Sequence, residues 1–396
     1  MSHHNVTTSL FLPELKFIKQ ISSSRHKERV FEVLKCSKFE VCPKCASKCS
    51  TIYDHVNLTI RDVPLRGKKV ILKVKKRRFK CKNCKSIFRE PIRGIKKGFR
   101  TTQRYRRNLM HEASNYDTLK KVARIHDCSQ WLVYKCFYEQ IELENRKHQS
   151  PWPKTVGIDE HSFIKNQFGR KDFTTIFVDY NNKKVREAVY GRTPADLLTD
   201  ENLLKVRGRE NVKNVITDLS PGFRSFAREF FPKATITADK FHVLKLLQGP
   251  LRKYQKEVIG KQRRNPFKMM LQKKSSNLKD HEKRTLRAIL HFHPELKDLY
   301  TAKEALHSLY EIKGYKKAAY ALNRLTDWLG YSKIPELQTL RKTLKNWRSE
   351  ILNYFKTKLS NGRTEGYNRK AKVIQRDAYG FRNFENYRLK LIYLCR

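Results

Sequence analysis

The sequence predicts an α/β core that follows a cysteine-rich module and a helical module and that contains a long helical insertion. Strand-like runs crowd residues 154–238, whereas residues 240–355 show helical patterns and almost no β-branched runs. Six of the nine cysteines lie within the first 95 residues. The cysteine-rich module is predicted at residues 1–98 and the helical module at 99–148. The core is predicted in two parts, 152–240 and a C-terminal helical part at 359–396, with the insertion at 241–358 between them.

The charge of the chain points to a polyanionic partner. Lys and Arg number 87 against 38 Asp and Glu, which gives a formal net charge of +49 over 396 residues. Such an excess favours nucleic acid as the partner, although a structural RNA-binding protein would share it. No apolar run approaches the ~20 residues that a membrane span needs, and the polar start lacks the pattern of a leader. We therefore expect a cytoplasmic protein with no membrane partner.

Two CxxC pairs in the first module predict a zinc ribbon. The pairs have the spacing of zinc knuckles, and four thiolates suit tetrahedral Zn²⁺, which would replace a core that so small a module lacks. The predicted ligands are Cys42, Cys45, Cys81 and Cys84. Cys36 and Cys49 lie close enough in sequence to be alternative ligands. The isolated cysteines are assigned to packing: Cys128, Cys136 and Cys395.

The second module has the spacing of a helix-turn-helix. The first helix has an apolar face, a break follows at Asp127-Cys128, and Ser129 is placed to cap the second helix. The predicted apolar face comprises Leu119, Val122, Ala123 and Ile125. The predicted DNA-contacting residues are Lys120, Lys121, Arg124, Gln130 and Lys135, with Trp131 outward and further phosphate contacts from Arg104, Arg106 and Arg107. A plain helical hairpin would show the same pattern.

Three carboxylates of the core lie where a strand is predicted to end or a helix to begin. Asp159 is predicted to end the strand "VGID", and Asp218 to end the strand "NVKNVITD". Asn361-Gly362 breaks the helical stretch, so that Glu365 falls in the first turn of a new helix. In an RNase H-like sheet the two aspartate strands are neighbours, and three converging carboxylates can hold two Mg²⁺ or Mn²⁺ ions for phosphodiester chemistry. A strand-end Asp is also a common turn residue.

Further residues are candidates for supporting roles. "TADKFHV" offers Asp239 as a reserve carboxylate and His242 to orient a phosphate or a metal ligand, with a capping or core role for the histidine left open. Asn368 and Lys372, on the same helix face as Glu365, are both predicted to hold DNA phosphate beside the metals. Asp179, in a turn context, is a weaker carboxylate candidate. The alternatives to Glu365 are Glu304, Glu336 and Glu350.

The ordered motifs resemble one known family. The segments "CPKC", "RRFKCKNC", "VGIDEHSF", "VITDLSPGFRSF", "TADKFHVLK" and "NGRTEGYNRKAK" together look like the bacterial insertion-sequence L three family of DDE transposases. The resemblance implies an RNase H-like catalytic core with an all-helical insertion, preceded by a zinc ribbon and a helix-turn-helix. It also implies Asp159, Asp218 and Glu365 as the catalytic triad. Asp239 stands where some related groups have Cys, which leaves its role open.

The function that follows is DNA transposition. We expect the N-terminal modules to bind the terminal inverted repeats of an insertion sequence, and the core to catalyse Mg²⁺-dependent strand cleavage and transfer into target DNA. The resemblance further implies a homo-oligomer in the synaptic complex and a bacterial cytoplasmic protein associated with the nucleoid when it binds DNA. The alternative is a sequence-specific DNA-binding protein derived from a transposase with an inactive core. The presence of all three carboxylates favours the enzyme.

Overall fold

The computed structural model of the chain describes residues 12–21, 27–115, 118–165, 171–259 and 266–396. It divides into two compact units, Met1–Glu144 and Asn145–Arg396, called here the N-terminal unit and the C-terminal unit. None of the helices in the described ranges is long and apolar enough to cross a membrane.

The N-terminal unit begins with β-structure. Its strands are β1 (Leu15–Ile21), β2 (Glu28–Lys35), β3 (Glu40–Val41), β4 (Lys48–Cys49), β5 (Ile52–Leu65), β6 (Lys68–Lys80) and β7 (Ile87–Arg89). The main sheet has the order β1-β2-β6-β5 with β7 paired to β6, while β3 and β4 form a separate small ladder. The turn between β5 and β6 contains Arg66 and Gly67, both at positive φ, as a tight hairpin turn requires.

This sheet corrects the expectation that the cysteine-rich module lacks its own core. Val33, Ile60, Leu72 and Val74 are all at most 1% exposed and pack together on one face of the main sheet. The cysteines belong to a separate, smaller cluster with Phe79. A metal therefore has to stabilise only the small cysteine-bearing end of the module, because the long strands bury apolar side chains without it.

Three helices follow: α1 (Gln103–Asn115), α2 (Leu119–Ile125) and α3 (Gln130–Lys147), which begins in the same unit and ends three residues beyond it. The Ser129 hydroxyl accepts a hydrogen bond from Leu132 N at 3.2 Å, so the predicted cap of α3 is confirmed. Val122 and Ala123 are buried, as predicted, and Leu119 is half-buried. The prediction for Ile125 was wrong: it is 54% exposed at the end of α2.

The C-terminal unit is built on a mixed five-stranded sheet. Its strands are β8 (Thr155–Lys165), β9 (Lys171–Asp179), β10 (Lys184–Tyr190), β11 (Asn214–Thr217) and β12 (Thr235–Ala238). Their order is β10-β9-β8-β11-β12. The first three strands along the chain pair antiparallel, whereas β11 runs parallel to both β8 and β12. The predicted end of a strand at Asp159 was wrong, because β9 continues to pair with β8 as far as Lys165.

Helices cover both faces of this sheet. After β10 come α4 (Pro194–Thr199), α5 (Glu201–Leu204) and α6 (Pro221–Phe230), and the last two helices are α15 (Gly362–Asp377) and α16 (Phe384–Leu394). Phe223, Phe226 and Phe230 of α6 pack on one face with Val156 and Ile158. Residues of α15 and α16 pack on the other face. Ser220 caps α6 through Phe223 N with Pro221 at the first helical position, as predicted.

The helical insertion lies between β12 and α15. Its helices are α7 (Lys240–Lys245), α8 (Gln248–Ile259), α9 (Pro266–Gln272), α10 (Asp280–Phe292), α11 (Pro294–Leu309), α12 (Tyr315–Gly330), α13 (Pro335–Asn346) and α14 (Arg348–Thr357). A leucine-rich cluster forms its core. In α14, Asn353 Nδ2 donates to the Ile236 carbonyl at 2.8 Å, so this helix covers the free edge of β12.

Candidate active site

Three aspartates lie side by side across the parallel strands of the C-terminal sheet. The last paired residues of β11 are Ile216 with Gly157 of β8, and Thr217 with Ala238 of β12. Continuing this register brings Asp218 opposite both Asp159 and Asp239. Because parallel neighbours at one level present their side chains on the same face, the register groups the three carboxylates at one level of the sheet.

Asp159 lies within β8 and is held by two hydrogen bonds. Its Oδ1 accepts from Glu160 N and its Oδ2 accepts from Asn368 Nδ2, both at 2.8 Å. Burial raises the pKa of Asp159 to about 6. The hydrogen bond from Glu160 N lowers this pKa, and the negative charge of Asp218 raises it further. Because burial makes this carboxyl costly to ionise, a cation nearby would strongly stabilise its charged form.

Asp218 follows β11 in a turn that opens α6. Its Oδ1 accepts from Ser220 N at 3.0 Å, which leaves Oδ2 without a hydrogen bond in the described contacts. Burial raises the pKa of Asp218, while the His242 imidazole works against this shift. Asp159 and Asp218 are therefore neighbouring carboxyl groups with raised pKa values at the same level of the sheet.

The buried Asp239 pairs with the partly exposed His242 beside these carboxyls. Asp239 is 2% exposed, and its Oδ2 lies 2.9 Å from His242 Nδ1 while its Oδ1 accepts from Asn361 N at 2.9 Å. Burial pushes the pKa of Asp239 upward, but these hydrogen bonds outweigh it and the pKa is lowered. Asp239 in turn raises the pKa of His242, with further contributions from Asp218 and Asp159. Both oxygens of Asp239 are thus engaged.

Helix α15 approaches β8 very closely at Gly157. A Cβ at this position would lie 2.3 Å from Thr364 Oγ1 and 2.5 Å from Tyr180 Cε2. Tyr180 Oη lies 3.0 Å from both Thr364 Oγ1 and the Ser360 carbonyl, and Asn361 Nδ2 donates to the Ile158 carbonyl. A glycine is needed because any side chain would push the first turn of α15 off the sheet.

Glu365 lies in this anchored first turn. It precedes Asn368 by three residues and so shares its helix face. Its carboxylate pairs with Arg369 at 3.0 Å, and its side chain is 47% exposed. Asn368 bonds to Asp159 rather than facing outward, which corrects its predicted phosphate role. Lys372, one turn further, is exposed.

The alternative carboxylates have structural partners. Asp179 is fully buried and accepts hydrogen bonds from the backbones of Asn181 and Asn182, so it is a turn residue. Among the glutamates, Glu350 is bonded to Arg228, Glu336 to Lys253 and Glu304 to Ser275 N.

The four predicted zinc ligands form a compact cluster in the N-terminal unit. The sulfur atoms of Cys42, Cys45, Cys81 and Cys84 all lie within 4.8 Å of one another. The Cys42–Cys84 and Cys45–Cys81 pairs are 3.6 and 3.5 Å apart, near the ~3.8 Å edge of a tetrahedron with Zn–S bonds of ~2.3 Å. The hydrogen bond with Ser86 lowers the pKa of Cys42 to about 6, whereas the hydrogen bond of Cys84 with Ser86 is outweighed by burial and the neighbouring Cys45 and Cys42 thiols, so that the pKa of Cys84 is raised. Four sulfur donors at this spacing fit Zn²⁺.

The predicted DNA-contacting side chains divide into two groups. Lys120, Lys121, Arg124, Gln130 and Trp131 are exposed on α2 and α3. Lys135 pairs with Glu139 and lies over the Trp131 ring. Arg104 is bonded to the buried Asp62, and Arg106 to Glu139, so these two arginines have structural partners.

Comparisons with known proteins agree with this arrangement. Residues 156–391 match a family model described as a transposase of the insertion-sequence L three group. The chain belongs to the insertion-sequence L three family of DDE transposases. Residues 38–84 match the zinc finger of the transposases of IS204, IS1001, IS1096 and IS1165, and this segment contains all four clustered cysteines.

Curated relatives carry the same description. The chain is 24% identical to the transposase for insertion sequence element IS1001 of Bordetella parapertussis, over 90% of this chain and 88% of that protein. It is also 24% identical to the transposase for IS1557 of Mycobacterium tuberculosis, over 58% of this chain and 57% of that protein.

Sequence reasoning missed how this transposase positions α15. Thr364 and Tyr180 make the close contact with Gly157 of β8, and none of the three was singled out. One signal was available: a glycine between β-branched residues in "TVGID" is typical of a close backbone approach. Thr364 and Tyr180 carried no comparable signal, because their partners are distant in sequence.

Proposed function

We propose that this transposase cleaves and joins DNA strands with two divalent cations, Mg²⁺ or Mn²⁺, held by Asp159, Asp218 and Glu365 in an RNase H-like core. The observation that carries the proposal is the strand register that sets Asp218 beside Asp159, together with the Asn368 hydrogen bond that ties α15 to Asp159. The sheet order, with three antiparallel strands followed by two parallel ones, supports the RNase H-like assignment.

The donor set fits hard divalent cations. In the described residues, the carboxylates do not gather into a group of three with ligand atoms within 4.8 Å, as the cysteines do. Two ions about 4 Å apart require carboxylates spread more widely than one ion does. When bound, such ions activate a water or 3′-hydroxyl and stabilise the leaving oxygen.

The protein groups around these carboxylates have distinct roles in this proposal. Asn368 orients Asp159 through its amide, which leaves the other faces of that carboxylate for a cation. Asp239 holds His242 by Nδ1, so that Nε2 is directed to donate to a DNA phosphate oxygen. Glu365 would give up its exposed pairing with Arg369 to hold a cation, at little loss because exposed ion pairs contribute little.

The N-terminal unit is proposed to bind the terminal inverted repeats. A helix-turn-helix of α2 and α3 would present Gln130 and Trp131 to base edges, with phosphate contacts from Lys120, Lys121 and Arg124. Lys135 would leave Glu139 to join them, and Lys372 of the C-terminal unit would hold phosphate near the carboxylates. Zn²⁺ at the four cysteines would fix the ribbon, and two or more copies would pair the DNA ends in the synaptic complex.

Replacing Glu365 tests the proposal. Glu365→Gln keeps the shape and removes the charge, so it should leave folding and end binding intact and lower strand cleavage by at least about 10³-fold. Cleavage of a labelled terminal-repeat duplex with Mg²⁺ or Mn²⁺ measures this. Glu336→Gln is the matched control, because it removes a half-buried, ion-paired glutamate of the insertion. Near-normal cleavage by Glu365→Gln would refute the triad.

A further inference from the structure

A polar cavity opens beside β10, at the edge of the sheet opposite to β12. Its volume is about 540 Å³. Its polar lining includes Ser150, Arg186, Glu187, Asn202, Arg207 and Arg388. The aspartates lie on or directly after β8, β11 and β12, and β9 separates β8 from β10. The cavity therefore has no part in the carboxylate site.

The acidic residue of this lining is already neutralised. Glu187 is bonded at both oxygens to Arg388, from Nε to Oε1 and from Nη2 to Oε2, each at 2.7 Å. The Lys205 ammonium, also at the cavity, pairs with Glu201 at 2.8 Å. These charges cancel within the protein. The remaining cations, Arg186 and Arg207, therefore make the net charge of the cavity lining positive.

Arg186 is a buried cation that lacks a carboxylate partner in the described ion pairs. It is 8% exposed, its Nη2 donates to the Ser150 carbonyl at 2.5 Å, and its guanidinium lies 5.7 Å from the Trp152 ring centre. Its Nε has no acceptor, and the buried Ser150 hydroxyl also lacks a partner. Burial lowers the pKa of Arg186, against the attraction of Glu187 and Asp179. A buried unpaired charge is costly unless an ion or hydrogen-bonding ligand compensates it.

We propose that this cavity binds a phosphate group. A phosphate offers several acceptor oxygens, so one group can accept from Arg186 and from Arg207, which is exposed at the same cavity. Ser150 lines the same cavity, and its unpartnered hydroxyl is a further donor. The phosphate can come from the DNA backbone or from free phosphate in solution. The DNA source rests on the proposed function, whereas binding of free phosphate does not.

Titration with inorganic phosphate tests the site, with the full chain in a calorimeter and ionic strength held constant with NaCl. Wild type should bind, Arg207→Gln should bind at least about tenfold more weakly, and Arg186→Met should lose binding. Lys233→Gln, an exposed cation in the turn before β12, is the matched control and should bind as wild type does. Without phosphate, Arg186→Met should melt at the same temperature as wild type or higher, because it removes an unpaired buried charge.

Duplex DNA distinguishes the two sources. With a 20-base-pair duplex, a backbone phosphate in the cavity predicts that Arg207→Gln lowers the slope of log affinity against log salt by about one, while Lys233→Gln leaves it unchanged. An unchanged slope with intact phosphate binding assigns the site to free phosphate. The proposal is overturned if wild type binds no phosphate, or if the Arg186 and Arg207 variants bind it as well as wild type. Either outcome leaves the carboxylate site untouched.

Discussion

The cysteine cluster and the proposed carboxylate site depend on different features of the chain. The cysteines come as two knuckles on neighbouring turns, and each knuckle sets the spacing of its own pair within four residues. The carboxylates proposed to hold cations come from residues 159, 218 and 365, and the arrangement proposed for them depends on strand register and one close helix approach. A metal site of the first kind tolerates changes in the surrounding fold, whereas one of the second kind depends on contacts between elements that are distant in sequence.

The largest effect that separates the two sites is expected at Gly157. Gly157→Ala places a Cβ against Thr364 and Tyr180 and displaces α15, so strand cleavage should fall by about 100-fold or more while zinc content stays unchanged. Cleavage of the terminal-repeat duplex and metal analysis of the same sample measure both. Gly366→Ala is the control, since a Cβ there meets nothing within 4 Å. Normal cleavage by Gly157→Ala would show that the position of α15 does not matter.

Removing the zinc ligands should have a more local effect. The double change Cys81→Ser with Cys84→Ser should abolish zinc binding and weaken end binding, but leave the sheet folded because its apolar core is separate. Metal analysis and circular dichroism of the full chain check this, with Cys36→Ser, an exposed cysteine outside the cluster, as the control that keeps zinc. Global unfolding of the double variant would contradict the separation of the two clusters.

The smallest effect is a pH dependence at Asp159. Its folded pKa, about 6, lies above the ~4 of an unfolded chain, so the folded state loses stability as pH rises from about 4 to about 6. Above that range the loss is on the order of 2–3 kcal/mol in metal-free protein, and a divalent cation should restore it. Asp159→Asn should therefore gain melting temperature over wild type in EDTA at pH 7 but not at pH 4. An equal difference at both pH values would exclude ionisation as the cause.

The comparison also explains what the sequence predicted and what it did not. The cysteine set was predictable because its spacing is local, and the cap at Ser220 and the long helical insertion were predictable for the same reason. The extension of β8 beyond Asp159 was not, because it depends on pairing with β9. Asn368 was placed on the correct face of its helix but given the wrong partner, since its hydrogen bond to Asp159 spans 209 residues of sequence.

The module core was missed for a similar reason. The strands β5 and β6 carry many charged residues, and burial of Ile60, Leu72 and Val74 depends on which sheet face is covered. Alternation of apolar and polar residues along one strand does not show which element covers its apolar face. Ile125 fits a helical apolar face by spacing, yet it ends its helix and is exposed there.

Iron-directed cleavage of the protein backbone tests most directly whether the three carboxylates share their cations. Fe²⁺ replaces Mg²⁺ at oxygen-ligand sites, and with ascorbate and peroxide it produces hydroxyl radicals that cut the chain close to the bound ion. We predict cuts near residues 159, 218 and 365, all suppressed by excess Mg²⁺ and all lost in Asp159→Asn. Cuts near 159 and 218 without one near 365, or a third cut near Glu336 or Glu350 instead, would contradict the assignment of Glu365 to this site.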